Sequence, residues 1–179
     1  MLNKAATALH MRMHHYNAGK YAKIGVFILS VYVIQMRIVP LVWILEIKPD
    51  LLQIAVIVIA MNIQIFPLML ASVLLCGLLE DIFGLYLFGF NTIMFGLEAI
   101  LIYLICRHIY NDTKVIKYIM LACATVCTYI LISVIFKKPY IFVGFLEAAI
   151  NCLLFSFIEK AYRCMLPLDI RGNSLYAYR

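Results

Sequence analysis

LLQIAVIVIAMNIQIFPLMLASVLLCGLLEDIF, residues 51–83, runs for 33 residues with its only charges, Glu80 and Asp81, near the end. As one helix rising 1.5 Å per residue it would reach about 50 Å, against roughly 30 Å of hydrocarbon in a bilayer. It has to be divided. Asn62, Gln64 and Pro67 mark the place. The division gives two helices of about 16 residues, each about 24 Å long, with Pro67 in the first turn of the second, where a missing N–H is tolerated. Helices that short imply local thinning of the bilayer or incomplete crossing.

The end of this run, Gly77-Leu-Leu-Glu80-Asp81-Ile-Phe, together with Gly84 and the segment Gly89-Phe-Asn91 beyond it, sets two carboxylates and three glycines in an apolar context. A charged side chain at membrane depth costs roughly 2.5–3.5 kcal/mol on insertion scales unless it is paired, protonated or interfacial. Asp81 is therefore expected to cap the turn into the next helix, accepting backbone N–H groups around Gly84 to Gly89.

Composition agrees with a membrane chain. Of 179 residues 66% are apolar and 13% charged, and the mean hydropathy is +1.00. A soluble domain carries roughly 45–50% and 25%. The net charge of +6 then marks cytoplasmic loops rather than a nucleic-acid surface, and no nucleic-acid partner is expected.

Working outward, residues 1–23 form a basic leader with Lys4, Arg12, Lys20 and Lys23, interleaved with apolar residues in the manner of a membrane-surface segment. The first span covers residues 24–45. Arg37, in its second half, either snorkels to the far interface or faces a carboxylate in the bundle. Pro49-Asp50 closes the turn after this span. The fourth, fifth and sixth spans are expected at residues 89–106, 115–136 and 140–158. Residues 24–159 thus make a single six-helix membrane domain, with a basic cytoplasmic tail at 160–179.

Charge fixes the orientation. With six spans and both termini cytoplasmic, eleven Lys/Arg fall inside and three outside, Arg37 set aside. Merging the second and third spans would leave six inside and eight outside, against the positive-inside rule.

Several polar residues sit within the spans. Glu98 lies seven residues after Asn91 and Glu147 precedes Asn151 by four, so each pair shares a helix face. Glu98 and Glu147 read either as ion or proton ligands or as hydrogen bonds between helices. His10 and His14, and Cys123 and Cys127, have i,i+4 spacing but no further ligand near, so no metal is expected. No Ser/His/Asp set, HExxH or glycine-rich phosphate loop is present, so no catalytic residue, cofactor or enzymatic activity is expected.

Pro49-Asp50-Leu-Leu opening the second span, Gly77-Leu-Leu-Glu80-Asp81 ending the third, Gly84, and Gly89-Phe-Asn91 opening the fourth resemble the rod shape-determining MreD family of bacteria. The motif-bearing part is residues 49–98. The resemblance implies a six-helix fold like that of the substrate-binding subunits of energy-coupling-factor transporters. It also implies a non-enzymatic scaffold of the cell-elongation machinery in the inner membrane, working with MreC, MreB, RodA and a class B penicillin-binding protein in side-wall peptidoglycan synthesis. Two places depart from the family: the turn at residues 62–67 lacks basic and glycine-rich character, and the leader is long.

Under the scaffold reading, the third and fourth spans dock the single helix of an MreC-type partner on a face built around Gly77, Glu80, Asp81, Gly84, Gly89 and Asn91, with no metal or nucleotide. Under the alternative, a transporter substrate-binding subunit, Glu80, Asp81 and Asn91 line a hydrophilic cavity open to the outside.

Overall fold

A computed structural model describes residues 2–37, 49–63, 65–83, 88–108, 114–137 and 141–166. These form α1 (Leu2–Arg37), α2 (Leu51–Asn62), α3 (Phe66–Phe83), α4 (Phe90–His108), α5 (Lys114–Phe136) and α6 (Ile141–Met165), with no strand among the described residues. The fold is all-α. Three stretches, Phe90–Arg107, Val115–Ile135 and Phe142–Met165, are long and apolar enough to cross a membrane, as befits a membrane protein.

The 51–83 run is divided, but unequally, into helices of 12 and 18 residues. Asp50 starts α2 as its N-cap, accepting the Gln53 N–H at 2.9 Å. At the other end the Asn62 side chain donates to the Val58 carbonyl at 2.7 Å, and Ile63 leaves the helix with extended φ and ψ. Pro67 lies in the first turn of α3.

The placement of α2 organises the rest. Every residue from Leu51 to Ala60 is buried, so this helix meets protein on all sides. It packs on α1, α3, α4 and α6, with a lighter contact to α5. The helix is enclosed, and its length of about 18 Å answers to its caps rather than to the hydrocarbon. Burying Ile54, Ile57 and Ile59 against protein instead of lipid brings packing contacts rather than a hydrophobic gain, because lipid tails are equally apolar.

Around this centre the helices pair as α3 with α4 and α5 with α6, while α1 leans on α2 and α3 through the stripe Ile24, Phe27, Ile28, Val31 and Gln35. Those positions recur at helical spacing. The leader and the first span are one helix from Leu2 to Arg37, since no proline interrupts residues 2–37. Residues 38–45 of the expected span and residues 46–48 of the turn after it lie outside the described residues, as do residues 167–179 of the tail. Lys160 and Arg163 ride on α6 itself.

Ring contacts fix which helix ends lie together. Phe27 of α1 meets Tyr162 of α6 at 5.2 Å, Phe66 of α3 meets Tyr103 of α4 at 5.4 Å, and Tyr118 of α5 meets Phe155 of α6 at 5.4 Å. Lys117 pairs with Glu159 at this same end, and Glu159 also takes Arg163 at 2.6 Å. Lys23, Arg107, Lys117, Lys160 and Arg163 thus gather at one end of the bundle, while Asp50, Glu80 and Asp81 lie towards the other.

Candidate functional site

The second end holds a set of buried polar side chains joined across helices. Gln35 of α1 donates from Nε2 to Glu80 Oε2 at 2.8 Å, and its Oε1 accepts the Leu52 N–H of α2 at 2.7 Å. One amide thereby ties three helices. Hydrogen bonds of this kind between membrane helices are worth about 0.6 kcal/mol on average and up to about 1.7.

Asp81 makes the densest set of contacts. Its carboxylate accepts the N–H groups of Gly89 (3.0 Å), Asn91 (2.9 Å) and Thr92 (3.0 Å) and the Thr92 hydroxyl (2.5 Å). The cap thus lies on Gly89 to Thr92; residues 84–87 are outside the described residues. Three orphan donors of the α4 N-terminus are satisfied by one anion, at the end where the helix dipole favours it. Gly89 enters the turn with φ +90°, a conformation that disfavours a side chain, and its carbonyl accepts from Ile93 N at 3.1 Å.

Gly77 has a different role from the one expected of it. A Cβ there would stand 2.9 Å from Thr92 N and 3.1 Å from Asn91 O. The close approach that glycine permits is thus to α4 of the same chain. Glu80 and Asp81 likewise point into the chain, and Asn91 is buried. Gly77, Glu80, Asp81, Gly89 and Asn91, expected on a docking face, thus all take part in contacts within the chain. Gly84 lies outside the described residues.

A second cluster lies where α2, α4 and α5 meet. Gln53 Nε2 donates to Glu98 Oε1 at 3.0 Å, the Thr128 hydroxyl is bonded to the same oxygen, and the Thr125 hydroxyl donates to Gln53 Oε1 at 3.2 Å. Glu98 Oε2 is buried without a partner. On α6, Glu147 accepts from the Tyr129 hydroxyl of α5, and Gly144 lies against the Tyr129 ring. Asn151, one turn further, is fully buried with neither amide atom bonded. The pairs Lys117–Glu159 and Tyr129–Glu147 set an antiparallel register that brings Asn151 level with Thr125. Arg37 is exposed in the last turn of α1, and Glu98 is bonded to Gln53 and Thr128 rather than to it.

Of the residues in these clusters, Gln35, Gln53, Thr125, Thr128 and Tyr129 were not picked out as site residues by the sequence. Gln35 and Gln53 are visible as polar residues in apolar runs. The two threonines are not, because each also bonds its own i−4 carbonyl, Leu121 and Ala124, and so reads as neutral in a helix. Cys123 and Cys127 are both exposed on α5. Among the described residues no three His, Cys, Asp or Glu side chains are grouped to hold a metal ion.

No protein-family model, curated protein or solved structure matches the chain.

The Gln53 cluster can be weighed directly. Gln53→Leu removes the donor to Glu98 and the acceptor for Thr125, so thermal unfolding in detergent is expected to show a loss of about 1–2 kcal/mol. Lys117→Ala, which breaks a partly exposed pair at the bundle's other end, is expected to cost less than about 1 kcal/mol. The reverse order would show that the buried cluster does not join the helices.

Proposed function

We propose that this chain is a non-enzymatic membrane scaffold of the MreD type. It crosses the bacterial inner membrane six times with both termini cytoplasmic, and it binds an MreC-type single-span partner within the elongation machinery that includes MreB, RodA and a class B penicillin-binding protein. The observation that carries this reading is the way the interior is used. Gln35 is bonded to Glu80, Asp81 to the start of α4 and Gln53 to Glu98, around a central helix with apolar side chains on every side. A bundle filled in this way has its outer surface left for recognition.

The orientation rests on charge. The end that gathers Lys23, Arg107, Lys117, Lys160 and Arg163 is the cytoplasmic one under the positive-inside rule. The transporter-subunit alternative needs Glu80 and Asp81 turned towards a solute, and both are bonded within the chain.

With Gly77 used internally, the docking face moves to the outside of the α3–α4 hairpin. Leu75, Leu78 and Ile82 on α3 and Ile93, Leu97 and Leu101 on α4 are exposed there at helical spacing. A single apolar helix fits such a surface through side-chain packing, the principal attraction between helices in lipid. The test is a photo-crosslinking residue in place of Leu78, of Leu97, or of Val134 on α5, in cells carrying tagged MreC. Capture of the MreC span from the first two positions and not the third is the expected result. Capture from none of them, with an ATPase pair co-purifying instead, would favour the transporter alternative.

A further inference from the structure

Glu98 is more than nine-tenths buried, and its surroundings can be read as a count of hydrogens. A threonine hydroxyl carries one hydrogen and can accept two bonds. The Thr128 hydroxyl lies within bonding distance of two acceptors, Glu98 Oε1 and, at 3.1 Å, the Ala124 carbonyl, and also of one donor, Gln53 Nε2, at 3.3 Å. With Glu98 ionised, a single hydrogen would have to serve both acceptors. With a proton on Oε1, Glu98 donates to Thr128, Thr128 donates to Ala124, and each contact has its own hydrogen.

The other carboxyl oxygen gives an independent sign. Glu98 Oε2 is buried with no hydrogen-bond partner. A carboxylate spreads its charge over both oxygens, so an ionised Glu98 would hold half a negative charge with no donor beside it, the costliest way to bury a polar atom. As the carbonyl oxygen of a neutral acid, Oε2 bears far less charge.

Among the described residues no neighbouring group supplies a counter-charge. The start of α2 contributes Asp50, itself a carboxylate and bonded to the Gln53 N–H, and the α3 carboxylates Glu80 and Asp81 lie towards the same end. From α5 the facing groups are the hydroxyls of Thr125 and Thr128, and on α6 Glu147 is bonded to Tyr129. No lysine or arginine among the described residues is paired with Glu98.

We propose that Glu98 is a resident proton-binding site in the bundle interior, a neutral carboxylic acid whose hydrogen bond to Thr128 fastens the α5–α6 hairpin to α2 and α4. The ligand is a proton, and the rest of the site is Gln53, Thr128 and the Ala124 carbonyl. α6 carries the main packing of this hairpin on α2, while the α4–α5 and α2–α5 contacts are slight, so the bond from Glu98 to Thr128 is a tie through α5 where little else joins the helices.

Infrared spectra of the purified full chain, wild type and Glu98→Gln, at neutral pH test this. The wild type should show a carbonyl band of a protonated carboxyl above the amide band. That band should shift in heavy water and be missing from Glu98→Gln. The amide of Glu98→Gln is the neutral analogue of the acid, so its unfolding midpoint should match that of wild type. Loss of a carboxylate band instead, or a wild-type midpoint that rises with sodium ions while no acid band is present, would overturn the proposal in favour of an anion or a cation site. Should Glu98→Gln fail to fold, Thr128→Ala gives the second reading. It removes the acceptor of the acid proton, so the band must move, and an unmoved band overturns the assignment.

Discussion

Asp81→Ala is expected to be the most damaging single change to a carboxylate in this chain, lowering stability by about 3 kcal/mol or more. Hydrogen bonds to a charged group contribute about 1.5–3 kcal/mol each, though several bonds to one anion do not add fully. Asp81 accepts four, three of them from backbone N–H groups that open α4. Truncation leaves those donors facing a buried gap. Asp81→Asn keeps one acceptor oxygen without the charge and should fall between wild type and alanine. Asp50→Ala is the natural comparison. It removes the N-cap of α2, a loss of about 1 kcal/mol for an ordinary cap. Thermal unfolding in detergent ranks the three, and equal midpoints for Asp81→Ala and Asp50→Ala would remove the special role of Asp81.

The second large effect is expected from a methyl group. At Gly77 an added Cβ would meet the backbone of Asn91 and Thr92 rather than a movable side chain, so α3 and α4 would have to part. Forced overpacking costs about 1–3 kcal/mol, occasionally more. Here it also pulls Thr92 N–H away from Asp81. Gly77→Ala should therefore be strongly destabilising, and its effect should not add to that of Asp81→Ala, since both break the same junction. Two other helical glycines calibrate it. At Gly96 the nearest neighbour is Leu74 Cδ2 at 3.5 Å, an ordinary contact, and alanine there should be neutral or gain up to about 1 kcal/mol from helix propensity. At Gly144 a Cβ presses on the Tyr129 side chain, which can yield only by disturbing its bond to Glu147, so an intermediate loss is expected. A Gly77→Ala protein as stable as Gly96→Ala would contradict the close approach of the two helices.

Range decides which features could be read from the residues alone. Asn62 and Pro67 act within a turn of their own positions, so the division of the 51–83 run was legible, though not its unequal outcome. Asp81 next to a glycine-rich turn was legible for the same reason. The partners of Gln35 and Glu80, 45 residues apart, were not, because one polar residue in an apolar run says only that it needs a partner. Gly77 carried a signal of close approach without an address. The least legible feature was the burial of α2. Lipid and protein interior are similarly apolar, so a helix with hydrophobic side chains all round reads alike in either setting.

That ambiguity has a use during biosynthesis. α2 follows α1 in the chain, yet three of the four helices it packs on most, α3, α4 and α6, are made after it. Before those helices are made it can rest in lipid beside α1, exposing little that lipid would reject apart from Gln53 and its two ends. Later helices then close around a core already in place, and its own side chains need no rearrangement between the waiting state and the finished one.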